Sequence, residues 1–247
     1  MKFNVLGVIP ARGGSKGIHR KNLVQLAGRP LIDYAISAAK ESRCLTRTIV
    51  STEDEEIRKV ATLCGGDAPF IRPVDLATDE APSVAVAQHA LEYMEREDQR
   101  TYDFMCLLQP TAPLRTSEDI NTAITMLINS EADAVVSLTQ VIEPHPAKMI
   151  CLSDGLAIPF LPEAWSEHNR RQDLTPVYCL NGSVYCVRRN VLMSGSLWGQ
   201  ATLGYVMPPE TSVNIDDTTD LLRAKCMLRA ESIDRVLLKV SKAAHSG

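Results

Sequence analysis

The 247-residue sequence has no CxxC pair, no apolar run of membrane-spanning length and no acidic residue before Asp33. Its seven cysteines (Cys44, Cys64, Cys106, Cys151, Cys179, Cys186 and Cys226) are odd in number and cannot all pair. Several lie inside apolar runs such as FMCLLQ, where a small buried thiol belongs. This usage argues against a disulfide framework or a structural zinc site and for a reduced, cytoplasmic setting. The only N-terminal apolar run, FNVLGVIPA, is too short for a membrane span and lacks a signal-peptide layout. An apolar content of 45% excludes collagen-like, low-complexity and wholly disordered classes. With 26 Lys+Arg against 30 Asp+Glu, the net charge of −4 argues against a nucleic-acid partner.

The charge is unevenly spread. Residues 1–32 carry six bases (Lys2, Arg12, Lys16, Arg20, Lys21, Arg29), so the remainder of the chain has a net charge of −10. Behind this head, strand-like and helix-like patterns alternate. Residues 3–9, 47–51, 102–109, 133–138 and 182–188 read as strands, and 69–72 as a short one. Helices are expected from Pro30 to Glu41, from Thr52 through the acids that follow it, from Ser83 to Glu97 and from Ser117 onward. Further helix is expected over 217–230, and a final helix or strand over 234–240. Strands alternating with helices imply a three-layer, doubly wound α/β fold around a mostly parallel sheet. The pattern breaks over 143–178, where five prolines and the polar run SEHNRRQDL suggest an arm inserted into a single domain.

The run IPARGGSKGIHRKNL follows the first strand directly. Its glycines allow backbone N–H groups to approach phosphates, and Arg12, Lys16 and Lys21 supply neutralising charge. In an open α/β sheet this loop falls at the carboxyl end of a strand, where ligands bind. Neither GxxxxGK[ST] nor GxGxxG can be drawn through it, which disfavours a P-loop and a dinucleotide-dependent oxidoreductase.

IPARGGSKGIHRKN resembles the N-terminal signature of the CMP-sialic acid synthetases (acylneuraminate cytidylyltransferases). LQPTAPLR at 108–115, YCLNGSVYCVRR at 178–189 and VNIDDTTDLLRA at 213–224 follow in that family's order. The resemblance spans almost the whole chain. It implies a nucleotidyltransferase-like fold and transfer of CMP from CTP to the anomeric hydroxyl of an N-acylneuraminate or similar 2-keto sugar acid, with release of pyrophosphate. It also implies Mg²⁺ as cofactor and a homodimer formed through the arm. By the same resemblance, Arg12, Gly13, Gly14, Ser15, Lys16, Lys21 and Asn22 bind the triphosphate and nucleotide. Lys21, Arg12 and Asp216 are then the catalytic candidates, with Lys21 stabilising charge at the reacting phosphate and Arg20 supporting the loop. Arg72, Ala81 and Ser83 match positions that recognise cytosine, although Ser83 after Pro82 reads equally as a helix cap. Gln109 matches a sugar-contacting amide, or alternatively a turn residue. Lys148, Arg171 and Gln172 match positions that meet the sugar acid, or are solvated loop residues. His145 reads as structural.

Asp216 is the expected metal ligand, with Asp217 left to cap the following helix. The family pattern there is Asp-x-Asp, and this chain has Asn214-Ile215-Asp216, so Asn214 brings a carbonyl oxygen without charge. Cys179 stands where many relatives have Arg. These departures keep open a related acid (legionaminate, pseudaminate or Kdo) and a nucleotide-binding regulator with impaired catalysis.

Overall fold

The computed structural model describes residues 3–165 and 170–229. Among these residues ten strands and six α-helices follow one another. Strand β1 (Val5–Pro10) leads through the basic loop and a 3-10 turn (Lys21–Leu23) to the short ribbon β2 (Gln25–Leu26) and β3 (Arg29–Pro30). Then come α1 (Leu31–Glu41), β4 (Arg47–Ser51), α2 (Glu55–Leu63), α3 (Ser83–Asp98), β5 (Phe104–Leu107) and α4 (Ser117–Ile128). The second half holds β6 (Ala134–Gln140), β7 (Ile150–Ser153), β8 (Leu156–Pro159), β9 (Tyr178–Arg188), α5 (Arg189–Met193) and β10 (Thr202–Met207). A sixth helix, α6, occupies 218–229. The element expected over 234–240 lies outside the described residues.

Six strands form one sheet in the order β10-β6-β9-β5-β1-β4, and β9 alone runs antiparallel to its neighbours. Alternation along the strands feeds two cores. Val5 and Ile9 join Ile32, Ile36, Val50, Phe104, Ile120 and Ile124 beneath α1, α2 and α4. Leu6 and Val8 join Ile49, Met105, Leu107, Leu91 and Met94 beneath α3 and α5. The result is the expected three-layer α/β sandwich. A third cluster packs Ile18, Leu26 and Leu31 against Leu114, Val213, Ile215 and Ala224, so the basic loop is anchored to the start of α6.

Several local expectations need correction. The 69–72 segment forms only an isolated parallel bridge, Thr52 to Ile71, because prolines bracket it. Helix α2 begins on an Asp54 cap, whose carboxylate accepts from the N–H groups of Glu56 and Ile57, both at 2.9 Å. Pro82, not Ser83, is the cap residue of α3, and among the described residues no side chain caps that helix. β9 begins at Tyr178, with a register irregularity against β6 between Val136 and Leu138. Edge strand β10 and hairpin β7–β8 were not expected at all. The arm between β6 and β9 carries that hairpin, turned by Asp154 and Gly155, both at positive φ.

Candidate functional site

A cavity of about 540 Å³ opens at the carboxyl ends of β1 and β5, walled by the basic loop, the 72–86 segment and the approach to α6. Of the expected site residues, Arg12, Gly14, Ser15, Lys16, Lys21, Asn22, Arg72, Ala81, Ser83, Gln109, Asn214 and Asp216 line it.

The loop is held from inside. The Ser15 hydroxyl donates to the Ile18 carbonyl and accepts from the Lys21 N–H at 3.2 Å, while the buried Asn22 amide donates to the Arg12 carbonyl at 2.9 Å. Arg20, at φ 51°, grips both Asp54 carboxylate oxygens at 2.8 and 2.9 Å and Glu56 at 3.0 Å, which ties the loop to α2. Burial would raise the Asp54 carboxyl, but the Ile57 N–H and Arg20 outweigh it and hold that group below its usual range. Gly13 lies outside the cavity lining: its N–H donates to Glu53 at 2.6 Å, and a side chain there would strike Asp54.

Lys21 is mostly covered, with 13% of its side chain exposed, and its ammonium donates to the Ile215 carbonyl and to Asp216, each at 2.9 Å. The other Asp216 oxygen accepts from the Asn214 amide at 3.2 Å. Asn214 Oδ1 is buried without a hydrogen-bond partner among the described residues. A carboxylate and an unpaired amide oxygen two residues apart match the oxygen ligands a hard divalent cation takes, with waters and phosphates completing its shell. Asp217 caps α6 as expected, accepting from the N–H groups of Thr219 at 2.7 Å and Asp220 at 3.0 Å.

On the opposite wall Arg72 is 3% exposed, and burial lowers its pKa against the pull of Glu53, 3.0 Å away. Its Nε has no partner among the described residues. At the rear, Gln109 and Asn214 both crowd Gly182 (φ 71°), where a Cβ would sit 2.7 Å from Gln109 Oε1. Beneath them Arg115, unassigned in the sequence, donates to the carbonyls of Gln109 at 3.0 Å and Ser183 at 2.7 Å, clamping β5 to β9. Complete burial lowers its pKa to about 10.

Lys148 and Gln172 are exposed on the arm and do not line this cavity, and the Arg171 side chain lies outside the described part. Cys179 is exposed near the start of β9. His145 is structural, its ring accepting from the Ala147 N–H at 3.2 Å and meeting the Thr175 carbonyl at 3.0 Å. Three residues that sequence reasoning missed stand in or under this site: Glu53, Asp79 and Arg115. Glu53 and Asp79 had no local signal, being single acids among other acids. Arg115 was visible only as the last letter of LQPTAPLR.

A cation-lined cavity at the strand ends of this three-layer sheet defines a nucleotidyltransferase-like α/β protein. The structure of CMP:2-keto-3-deoxy-manno-octonic acid synthetase complexed with CTP is similar in fold, with a TM-score of 0.68 at 17% identity, over 92% of this chain and 99% of that one. A family model described as cytidylyltransferase matches residues 6–203, and the chain belongs to that family. The N-acylneuraminate cytidylyltransferase of Escherichia coli O18:K1:H7 is 34% identical over 223 residues, covering 89% of this chain and 51% of that protein. The chain thus spans about half the length of that relative. The pseudaminic acid cytidylyltransferase of Campylobacter jejuni serotype O:2 is 33% identical over 225 residues, covering 91% of this chain and 96% of that protein. Among the described residues no helix is long and apolar enough to cross a membrane.

Proposed function

We propose that this cavity transfers CMP from CTP to the anomeric hydroxyl of a sialic-type 2-keto sugar acid, releasing pyrophosphate. The observation that supports it most is the convergence of Arg12, Lys16 and Lys21 with the Asn214–Asp216 oxygen donors around one cavity. Attack on the α-phosphorus needs little covalent chemistry from the protein. It needs alignment and fixed positive charge where the leaving pyrophosphate develops its own. Arg12 and Lys16 hold the polyphosphate, and Lys21 sits where the loop meets Asp216. Arg72, with a free Nε, faces the base together with Ala81 and Ser83, while Gln109 reads the sugar. Asp216 and Asn214 hold Mg²⁺, which when bound offsets phosphate charge. Because Asn214 is neutral, this chain binds that ion more weakly than a two-carboxylate site does.

The test is release of pyrophosphate from CTP, N-acetylneuraminate and Mg²⁺, with pseudaminate, legionaminate and Kdo in parallel. Turnover is expected with at least one acid and is expected to stop with excess EDTA; no turnover with any acid rejects the reading. Pseudaminate is the second candidate substrate, since the C. jejuni relative matches almost as well over nearly its whole length.

The arm supports a homodimer. Every residue of β7 and all but Pro159 of β8 are exposed, including Leu152 at 80% and Leu156 at 67%. A lone two-stranded ribbon is marginal in water, so these apolar faces call for a cover, and a second copy of the chain supplies one. Leu152→Asp is expected to halve the solution mass at micromolar concentration in light scattering, without loss of helical circular dichroism. An unchanged mass would assign the dimer contact elsewhere or exclude it.

A further inference from the structure

Two of the four bases in the loop have an acidic partner that is itself fixed. Arg20 is bound to Asp54, which is locked as the α2 cap, and Lys21 is shared between Asp216 and a backbone carbonyl. Arg12 and Lys16 differ. Among the described residues their one ion-pair partner is Asp79, which reaches in from the loop on the far wall of the cavity. One Asp79 oxygen lies 2.5 Å from Arg12 and the other 3.2 Å from Lys16. No other side-chain or backbone donor among the described residues holds this carboxylate. It is kept in place by the two cations alone, and the hydrogen bond from Lys16, with the charge of Arg12, holds it below the usual carboxylate range.

This is the arrangement two non-bridging phosphate oxygens would take, made from within the protein. We propose that Asp79 is a displaceable counter-ion of the polyphosphate subsite: an incoming polyphosphate must take Arg12 and Lys16 from it, and it reclaims them when pyrophosphate departs. This rests on the reading of the cavity as a CTP site and adds to it a device for selection and release. A ligand that reaches both cations recovers what it breaks, whereas a short or singly charged anion does not. Because the pairs are partly exposed, the competition is modest and sensitive to salt.

Asp79→Asn keeps the shape of the side chain and removes its charge at an exposed site, so folding is not at stake. Titrating both proteins with inorganic pyrophosphate, with CTP and with cytidine at low salt separates the outcomes. The variant is expected to bind pyrophosphate and CTP about threefold to tenfold more tightly, the range set by two exposed ion pairs. Cytidine, which carries no phosphate, is expected to stay within about twofold, and the advantage is expected to shrink as salt screens the pairs. Equal or weaker pyrophosphate binding by the variant would overturn the proposal, leaving Asp79 as a surface partner or as a group that positions Arg12 and Lys16. If CTP binds both proteins equally, the cavity reading stands and only the role of Asp79 falls. If neither protein binds CTP or pyrophosphate, both fall together.

Discussion

Lys21→Ala is expected to lower kcat by about 10²–10³-fold while raising the dissociation constant of CTP by about tenfold or less. The asymmetry follows from where the ammonium is held. Its two bonds to the Ile215 carbonyl and to Asp216, with only 13% of the side chain exposed, fix it before any ligand arrives. A charge already oriented costs no reorganisation when the leaving pyrophosphate gains charge, so its worth is concentrated in the transition state. Ground-state attraction for CTP is by contrast shared with Arg12 and Lys16, and loss of one cation among three is partly covered by the others. Lys21→Arg is expected to recover little, because a planar guanidinium does not fit a socket built from one carbonyl and one carboxylate oxygen around a point charge. Single-turnover rates set beside equilibrium binding give the answer. Equal losses in rate and affinity would reduce Lys21 to a binding residue.

The parts of the fold legible in the sequence are those whose physics is local. β1 and β5 are short apolar runs buried on both faces, and α1 and α4 carry apolar stripes at helical spacing behind Pro30 and behind the Ser117–Asp119 start. The direction of β9 was not legible, since a run such as GSVYCVR is equally apolar in either sense and only the connection through the arm decides it. β10 escaped for a different reason. It is an edge strand with half of its residues exposed, and it is tied in by Tyr205, whose hydroxyl donates to Asp119 at 2.8 Å, a long-range anchor that no local pattern announces.

The site divides along the same line. The cationic loop was readable because four bases in ten residues with no acid nearby need a counter-charge. Where that counter-charge comes from was not readable. Glu53 and Asp54 looked only like acids favouring a helix N-terminus, yet Glu53 spends its two oxygens on the Gly13 N–H and on buried Arg72. Gly13 was accordingly assigned to phosphate when its donor is already used. Asp79 lies 63 residues beyond Lys16 in the chain, and nothing in ATDEAP distinguishes it from Glu80. Long-range pairs of this kind are made by the sheet, which brings the β1 loop and the segment after β4 to one end.

The same geometry makes Gly17 the most constrained position in the loop. An ideal Cβ there would sit 2.1 Å from the backbone carbonyl oxygen of Asp216, far inside any allowed contact. The clash is with main chain, which has no rotamer to yield, so Gly17→Ala must push the loop and the 213–217 segment apart. That interface also holds Ile18 against Val213 and Ile215, and it sets the Lys21–Asp216 pair. Overpacking of this kind costs about 1–3 kcal/mol, which in a chain of this size lowers the melting temperature by roughly 3–10 °C. Separating Lys21 from Asp216 by even an ångström is expected to cost about 100-fold or more in kcat/KM. Gly14→Ala supplies the control, because a Cβ at Gly14 meets nothing within 4 Å. Its melting temperature is expected to match the wild type, and any effect should appear only in CTP binding, where the loop backbone approaches phosphate. Thermal unfolding and steady-state kinetics of the two alanine variants, three positions apart, decide the matter. A Gly17→Ala protein with wild-type melting and turnover would show that the loop and the start of α6 are not held together as tightly as the structure requires.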